Sequence, residues 1–348
     1  MRSVTLCVLL CGLPLGCVRP IRTDSQVSLT GPLNAMVTAD VLPKRNQSPV
    51  EAMPVGRRHA VGPKIALVDV DGLLLNQNMT GPYSQGDNPV DAFREKLDAV
   101  AADPDVCAMV LRINSPGGGV TAVDIMWQEL QRYRDQCHKP VVACLLDHGC
   151  SGAYYLATAS DLIVAHPTTV TGGIGVVLNL FNMQDLMGMF NIASQSIKSG
   201  KNIDMGSLTA SLPAESKKWL QDMADEFHHR FRVIVQRQRP AVDTSNETTF
   251  DGRIFTAHQA LERKLIDRIG YLDDAVNEAR RLANQGDAQL VLYHRPSDVA
   301  RTPYAVTPNL PLQASLFPVN LPGVERCRLP SFLYLWQPDP TLVRVGGL

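Results

Sequence analysis

Residues 147–164 read DHGCSGAYYLATASDLIV, and the serine among them sits between two apolar runs of different character. The run before it, PVVACLL at 140–146, is β-branched and almost continuously apolar, as a strand buried on both faces must be. The run after it opens with Tyr154, Tyr155 and Leu156, is rich in alanine, and reads as a helix. A strand that turns straight into a helix lifts the corner residue, Ser151, out of the core. Gly152 follows it and lets the start of the helix come close to a ligand. Taken alone, a Ser-Gly pair before a helix is usually only a cap. Its meaning depends on what the rest of the chain sets beside it.

Working outward, KIALVDVDGLLL at 64–75 reads as a buried strand, so the domain is expected to begin near Lys64. VDAFREKLDAVAAD at 90–103 spaces Phe93, Leu97 and Val100 as a helix face, and VCAMVLRIN at 106–114 is a second strand. A glycine turn, SPGGG at 115–119, leads to a helix with Met126, Leu130, Tyr133 and Cys137 on one face. KPVVACLLDH and DLIVAHP supply a third and a fourth strand. This alternation predicts an α/β fold, a parallel sheet with flanking helices on both faces. Functional loops in such a sheet collect at the carboxyl ends of the strands, where both NSPGGG and DHGCSG fall.

Beyond residue 180 the pattern predicts a helix, a short strand ASQSIK at 193–198, the loop SGKNIDMGS, and a long amphipathic helix from about Pro213 to Arg239. Two further helices flank a turn at Gly270. The last stretch, 296–348, is proline-rich but carries apolar clusters at Leu316–Phe317 and Phe332–Trp336. Such a tail is expected to dock on its own domain or on a neighbouring subunit.

Hydrophobic residues make up 45% and the formal net charge is −1, so a large core is available and nothing invites nucleic acid as a partner. The start, MRSVTLCVLLCGLPLGC, has one arginine and then an uncharged run too short to span a bilayer, which reads as an export signal. Gly16 before Cys17 resembles a lipoprotein box, with Pro14 where that box wants an aliphatic residue. The expected organisation is a signal peptide or lipoprotein leader at 1–17, a flexible tether at 18–62, a domain at 63–295 and the tail at 296–348. The protein is expected to be exported and periplasmic or membrane-associated through its leader, with Cys17 as a possible lipid site. No cysteine or histidine spacing suits zinc, so no metal and no cofactor is expected. Cys107, Cys137, Cys144 and Cys150 read as packed thiols.

The order of the pieces resembles the S49 peptidase family, the signal peptide peptidase (SppA, protease IV) group. The matching motifs are INSPGGG (113–119), KPVVA (139–143), GCSGAYYLATASDLIVAHP (149–167), TGGIGVV (171–177) and DGRIFTAHQALERKLIDRIGYLDDA (251–275). The resemblance runs from about residue 64 to residue 284. It implies a ClpP/crotonase-like fold, a serine nucleophile with a lysine general base, and assembly of single-domain members into a homo-oligomeric ring. On this chain it places the nucleophile at Ser151 and the oxyanion donors at Gly117 or Gly118 with Gly152. The implied substrates are signal peptides or other extended hydrophobic peptides at a membrane.

The family's lysine position is Ile203 here, the serine that accompanies it in the family is Gly173, and one glycine of the serine turn is Ala153. Three readings stay open on the sequence. Lys201 or Lys198, in the SGKNID loop, acts as base; His148 does so with Asp147 behind it; or the base is lost and the protein binds peptides without cutting them. A lysine base would have to be desolvated to lose its proton near neutral pH. Acyl-CoA chemistry on the same general fold is disfavoured by the serine turn and by DGRIFT.

Overall fold

The computed structural model describes residues 48–55, 62–78, 80, 81, 84, 85, 87–295, 302–305 and 332–336. The expected leader with Cys17, and most of the expected tether and tail, lie outside the described residues. In chain order the elements are β1 (Glu51–Pro54), β2 (Lys64–Leu74), the small hairpin β3 (Thr80–Gly81) and β4 (Ser84–Gln85), α1 (Pro89–Ala102), β5 (Val106–Gly119) and α2 (Val120–Cys137). Next come β6 (Val141–Cys150), α3 (Gly152–Ala157), β7 (Leu162–Ala165), β8 (Val170–Gly172), α4 (Gln184–Met189) and α5 (Ala214–Gln238). The chain continues with β9 (Ile254–Thr256), α6 (Ala257–Glu262), β10 (Arg268–Ile269), α7 (Leu272–Leu282), β11 (Gln289–His294) and β12 (Leu333–Leu335).

The main sheet runs β1-β11-β2-β5-β6-β7-β10. Every neighbouring pair along it is parallel except β1 with β11. This is the α/β architecture, a mostly parallel sheet with flanking helices, that the alternating pattern predicts. Successive strand residues go to opposite layers. Ala66, Val68, Met109, Leu111, Val141 and Ala143 join Phe93, Leu97, Leu130 and Tyr133 of α1 and α2 in one core. Ile65, Leu67, Ala108, Val110, Val142 and Cys144 join Leu272, Ala275, Val276 and Ala279 of α7 in the other. Asn88 starts α1, its side chain accepting from the Val90 N–H at 3.0 Å with Pro89 at the first helical position.

Three local expectations change. Residues 51–54, placed in the tether, form β1, because β11 leaves an open sheet edge that the sequence pattern of neither strand announces. SPGGG is no turn: β5 runs through it, since Leu73 and Leu74 of β2 pair with Gly117 and Gly118. ASQSIK is not a strand; with no strand beside it to pair with, 193–198 has no regular structure.

One polar group set lies inside the molecule. Lys96 reaches Asp69 at 2.8 Å, and Arg112, with no exposed surface, sits 3.6 Å from Asp71 and 3.9 Å from Asp69. Its guanidinium also donates to the carbonyls of Pro303 and Ala305, the latter at 2.7 Å, and so fastens 302–305 to β5. Burial, and next the Asp69 charge, push the Asp71 carboxyl up to about 6 against the opposing pull of Arg112. An acid raised in the fold favours folding most when it is protonated. Its contribution therefore falls as pH rises from about 4, the ordinary carboxylate value, through about 6. Asp71→Asn should stabilise the chain at pH 7.5 by on the order of 1 kcal/mol, with a smaller gain at pH 4.5. Urea melts at both pH values check this, and an equal gain at both would contradict it.

Candidate active site

Ser151 joins β6 to α3 with φ 51° and ψ −115°, a backbone region that side chains avoid at a cost of about 1–3 kcal/mol. Its surroundings hold it there. The Ser151 N–H donates to the Gly172 carbonyl of β8 at 2.7 Å, and its own carbonyl accepts from the Tyr155 N–H at 2.9 Å. Tyr154 donates to the Leu265 carbonyl at 2.8 Å and Tyr155 to Asp124 at 2.6 Å, so the middle of α3 is tied to two separate segments of the chain. The Ser151 side chain is buried, and among the described residues its hydroxyl has no hydrogen-bond partner. A buried hydroxyl left unpaired at a strained corner is costly in a purely structural role.

The amides expected to stabilise an oxyanion separate into two kinds. The Gly117 N–H is already committed to Ser115 Oγ at 3.1 Å. Gly118, and Gly152 as the first residue of α3, face a common point. A β-carbon built on Gly117 would lie 2.1 Å from the Tyr334 carbonyl oxygen and 2.8 Å from the Gly152 nitrogen. One built on Gly152 would lie 3.0 Å from the same oxygen and 3.2 Å from the Gly118 nitrogen. The Gly118 and Gly152 nitrogens thus lie near one point beside the Tyr334 carbonyl oxygen, a point that a side chain at Gly117 would obstruct.

The occupant of that point comes from the tail. β12 lies antiparallel on β5 with Leu333, Tyr334 and Leu335 opposite Gly119, Gly118 and Gly117. The whole second expected apolar cluster, 332–336, is described, and it docks on its own domain. The Val120 N–H donates to the Phe332 carbonyl at 3.2 Å and the Trp336 N–H to the Pro116 carbonyl at 3.1 Å. Those bonds phase the ladder so that Gly118 and Tyr334 form a hydrogen-bonded pair. On the opposite edge Leu333 exchanges both backbone bonds with Val177, at 2.9 and 3.0 Å.

The candidate bases are elsewhere. Lys201, the tentative general base, is 79% exposed in its side chain and pairs with Glu215 at 3.2 Å. Lys198 pairs with Asp204 at 2.6 Å. Within one chain, then, neither lysine bonds Ser151. The His148 ring stacks on Trp336 with centroids 5.8 Å apart, and it does not bond Ser151 either. Ile203 is exposed, whereas Gly173 abuts Ser151: a β-carbon there would lie 3.6 Å from that of Ser151. Cys150 is buried, donates to the Val170 carbonyl at 3.2 Å, and burial pushes its thiol up to about 12, which makes it a packing residue.

Several residues at the site went unread in the sequence. Val177 ends a glycine-rich loop, and Phe227 and Phe231 lie four apart on α5, a spacing that any buried helix face shows. The alternating FLYLW of the tail was the available signal, and it does not reveal which edge it will join.

The profile of peptidase family S49 matches residues 134–286. A putative signal peptide peptidase SppA of Enterococcus faecium is 28% identical over 230 residues, covering 66% of this chain and 67% of that protein. The chloroplastic serine protease SPPA of Arabidopsis thaliana is 31% identical over 240 residues, but this chain covers only 35% of its length. A putative protease of Methanocaldococcus jannaschii is 31% identical over 218 residues, covering 61% of this chain and 70% of that protein. The matched residues take in the serine corner and the β9–α7 region together, and the chain belongs to peptidase family S49.

Proposed function

We propose that this protein is an SppA-like serine peptidase that cleaves extended hydrophobic peptides, signal peptides among them, through an acyl-enzyme on Ser151. The observation that carries the reading is the unpaired hydroxyl of Ser151 at its strained corner, beside the Gly118 and Gly152 amides. In the first step Ser151 Oγ forms a bond to the peptide carbonyl carbon while its proton passes to a base. The carbonyl oxygen takes the negative charge between the two amides, whose N–H groups are fixed before the reaction. The peptide C–N bond then breaks and the amine leaves with the proton held by the base. Water repeats the sequence on the acyl-enzyme and frees Ser151.

The base must reach Ser151 from beyond the contacts of one chain. Residues 178–212 form an exposed arm on which Met189, Phe190, Ile192, Ile197 and Ile203 are all more than half exposed, and Lys198 and Lys201 lie on this arm. We assign its apolar surface to a second copy of the chain in a homo-oligomer. Burial there would strip water from a lysine, as a neutral base requires. Export and membrane attachment belong to the same reading through the leader; among the described residues no helix is long and apolar enough to cross a membrane. A rival, peptide binding without cleavage, draws on the two ion pairs that hold Lys198 and Lys201 away from Ser151 in the single chain.

Intact-mass analysis after fluorophosphonate treatment tests the chemistry. A single adduct is expected on the wild type, none on Ser151→Ala, and at least tenfold slower labelling on Lys201→Ala. No adduct on folded wild type or on a Tyr334→Ala chain would leave the binding reading in place. Sedimentation tests the arm: Phe190→Glu with Ile197→Glu should yield monomers that label at least tenfold more slowly. Monomers labelling at the wild-type rate would remove the second copy from the mechanism.

A further inference from the structure

We infer that Ser115 is a positioning residue for the reaction: its buried hydroxyl grips the backbone of Gly117 and so sets the phase in which the next amide, Gly118 N–H, faces the start of α3. The inference rests on the peptidase reading for one point, that the Gly118 and Gly152 amides receive the negative charge. The rest comes from how the glycine end of β5 is held.

Both ladders slip where β5 passes Ser115. Against β2, Ser115 and Pro116 stand opposite the single residue Gly72, and against β6 the pairing jumps from Ile113 with Leu145 to Ser115 with Gly149. A bulge disrupts the ladder locally and twists the strand. Pro116 brings no N–H with which to restore it. Glycines follow at 117, 118 and 119, and glycine is the residue least able to hold a backbone in one conformation by itself. Gly117 lies at φ 106°, in the left-handed region. An oxyanion site works only if its donors are fixed before the reaction. Here one of them sits on the least constrained stretch of β5.

Ser115 supplies the missing constraint. It has no exposed surface. Its Oγ accepts from the Gly117 N–H at 3.1 Å and lies 3.5 Å from the Gly117 carbonyl oxygen, so one hydroxyl addresses both polar groups of that residue. The Pro116 carbonyl and the Val120 N–H both bond to β12, and residue 118, midway between them, shares that edge. Gly117 then points away from it, and the Ser115 bond holds it so. A slip by one residue exchanges which groups face an edge. It would turn the Gly118 N–H away from Gly152 and present that of Gly117. The tolerance is small, because a β-carbon built on Gly152 would lie only 3.2 Å from the Gly118 nitrogen, and a misplacement of about 1 Å costs about 100-fold in rate.

A serine that only satisfied a buried amide would cost stability when lost and leave the chemistry alone. The test therefore follows fluorophosphonate labelling of full-length chains over a range of reagent concentrations. Ser115→Ala should lower the maximal labelling rate at least tenfold, change the half-saturating concentration less than threefold, and leave the pH profile of the rate unmoved, since the base is not touched. Ser115→Thr keeps the acceptor and should restore the rate to within threefold. Ser115→Cys keeps the buried volume with a weak acceptor, so it should lose rate as Ser115→Ala does, and it replaces that variant if the alanine chain does not fold. A wild-type maximal rate in folded Ser115→Ala or Ser115→Cys, or a loss in folded Ser115→Thr as large as that of Ser115→Ala, would overturn the inference. Amide hydrogen exchange needs no turnover and separates this outcome from the peptidase reading. In chains carrying Ser151→Ala, added Ser115→Ala should speed exchange at Gly117 and Gly118 at least tenfold with the α7 amides unchanged. Faster exchange together with an unlabelled wild type would remove the peptidase reading and keep the hold of Ser115 on the glycines, whereas unchanged exchange would remove the hold itself.

Discussion

The close approach of three backbones at Gly118 is the constraint on which the site depends. A β-carbon built on Gly118 would lie 1.9 Å from the Leu74 carbonyl oxygen, so no other residue fits between β2 and β5 there. Because β2 can press that closely, β5 continues as a strand beyond Ser115, where its pairing with β6 ends. The edge that β6 vacates is then free to take another strand. β6 meanwhile turns at Ser151, and Gly152, whose missing side chain would collide with Val123 at 2.6 Å, lets α3 start against that same edge. Glycines at two places, each required sterically, thus bring Ser151, two amides and a strand-binding edge to one point.

The buried charges serve the frame on which this rests. Arg112 lies on β5, and Asp69 and Asp71 lie on β2, so their attraction joins the two strands whose ends form the site. A buried ion pair of this kind adds little net stability, but removing Arg112 would leave the two carboxylates without its compensation at a cost of roughly 3–5 kcal/mol. The raised Asp71 carboxyl shows that compensation is incomplete already.

Much of this was legible in the sequence because it follows from periodicity. The buried strands at 64–74, 106–114 and 141–146, the faces of α1 and α2, and the corner at Ser151 all come from spacing and burial alone. What was not legible depends on pairing between distant segments. Residues 51–54 become a strand only because β11 offers an edge, and SPGGG stays extended only because Leu73 and Leu74 flank it. That the Gly117 N–H is already taken turns on one hydroxyl, that of Ser115. Lys201 lies two residues from a family position in the chain, and proximity in sequence says nothing about which way an exposed arm points.

The most direct measurement is a crystal structure of the full chain treated with an extended hydrophobic peptide aldehyde. The account predicts a covalent bond from Ser151 Oγ to the aldehyde carbon, with its oxygen between the Gly118 and Gly152 amides. An aldehyde bound anywhere else, with Ser151 unmodified, would contradict it.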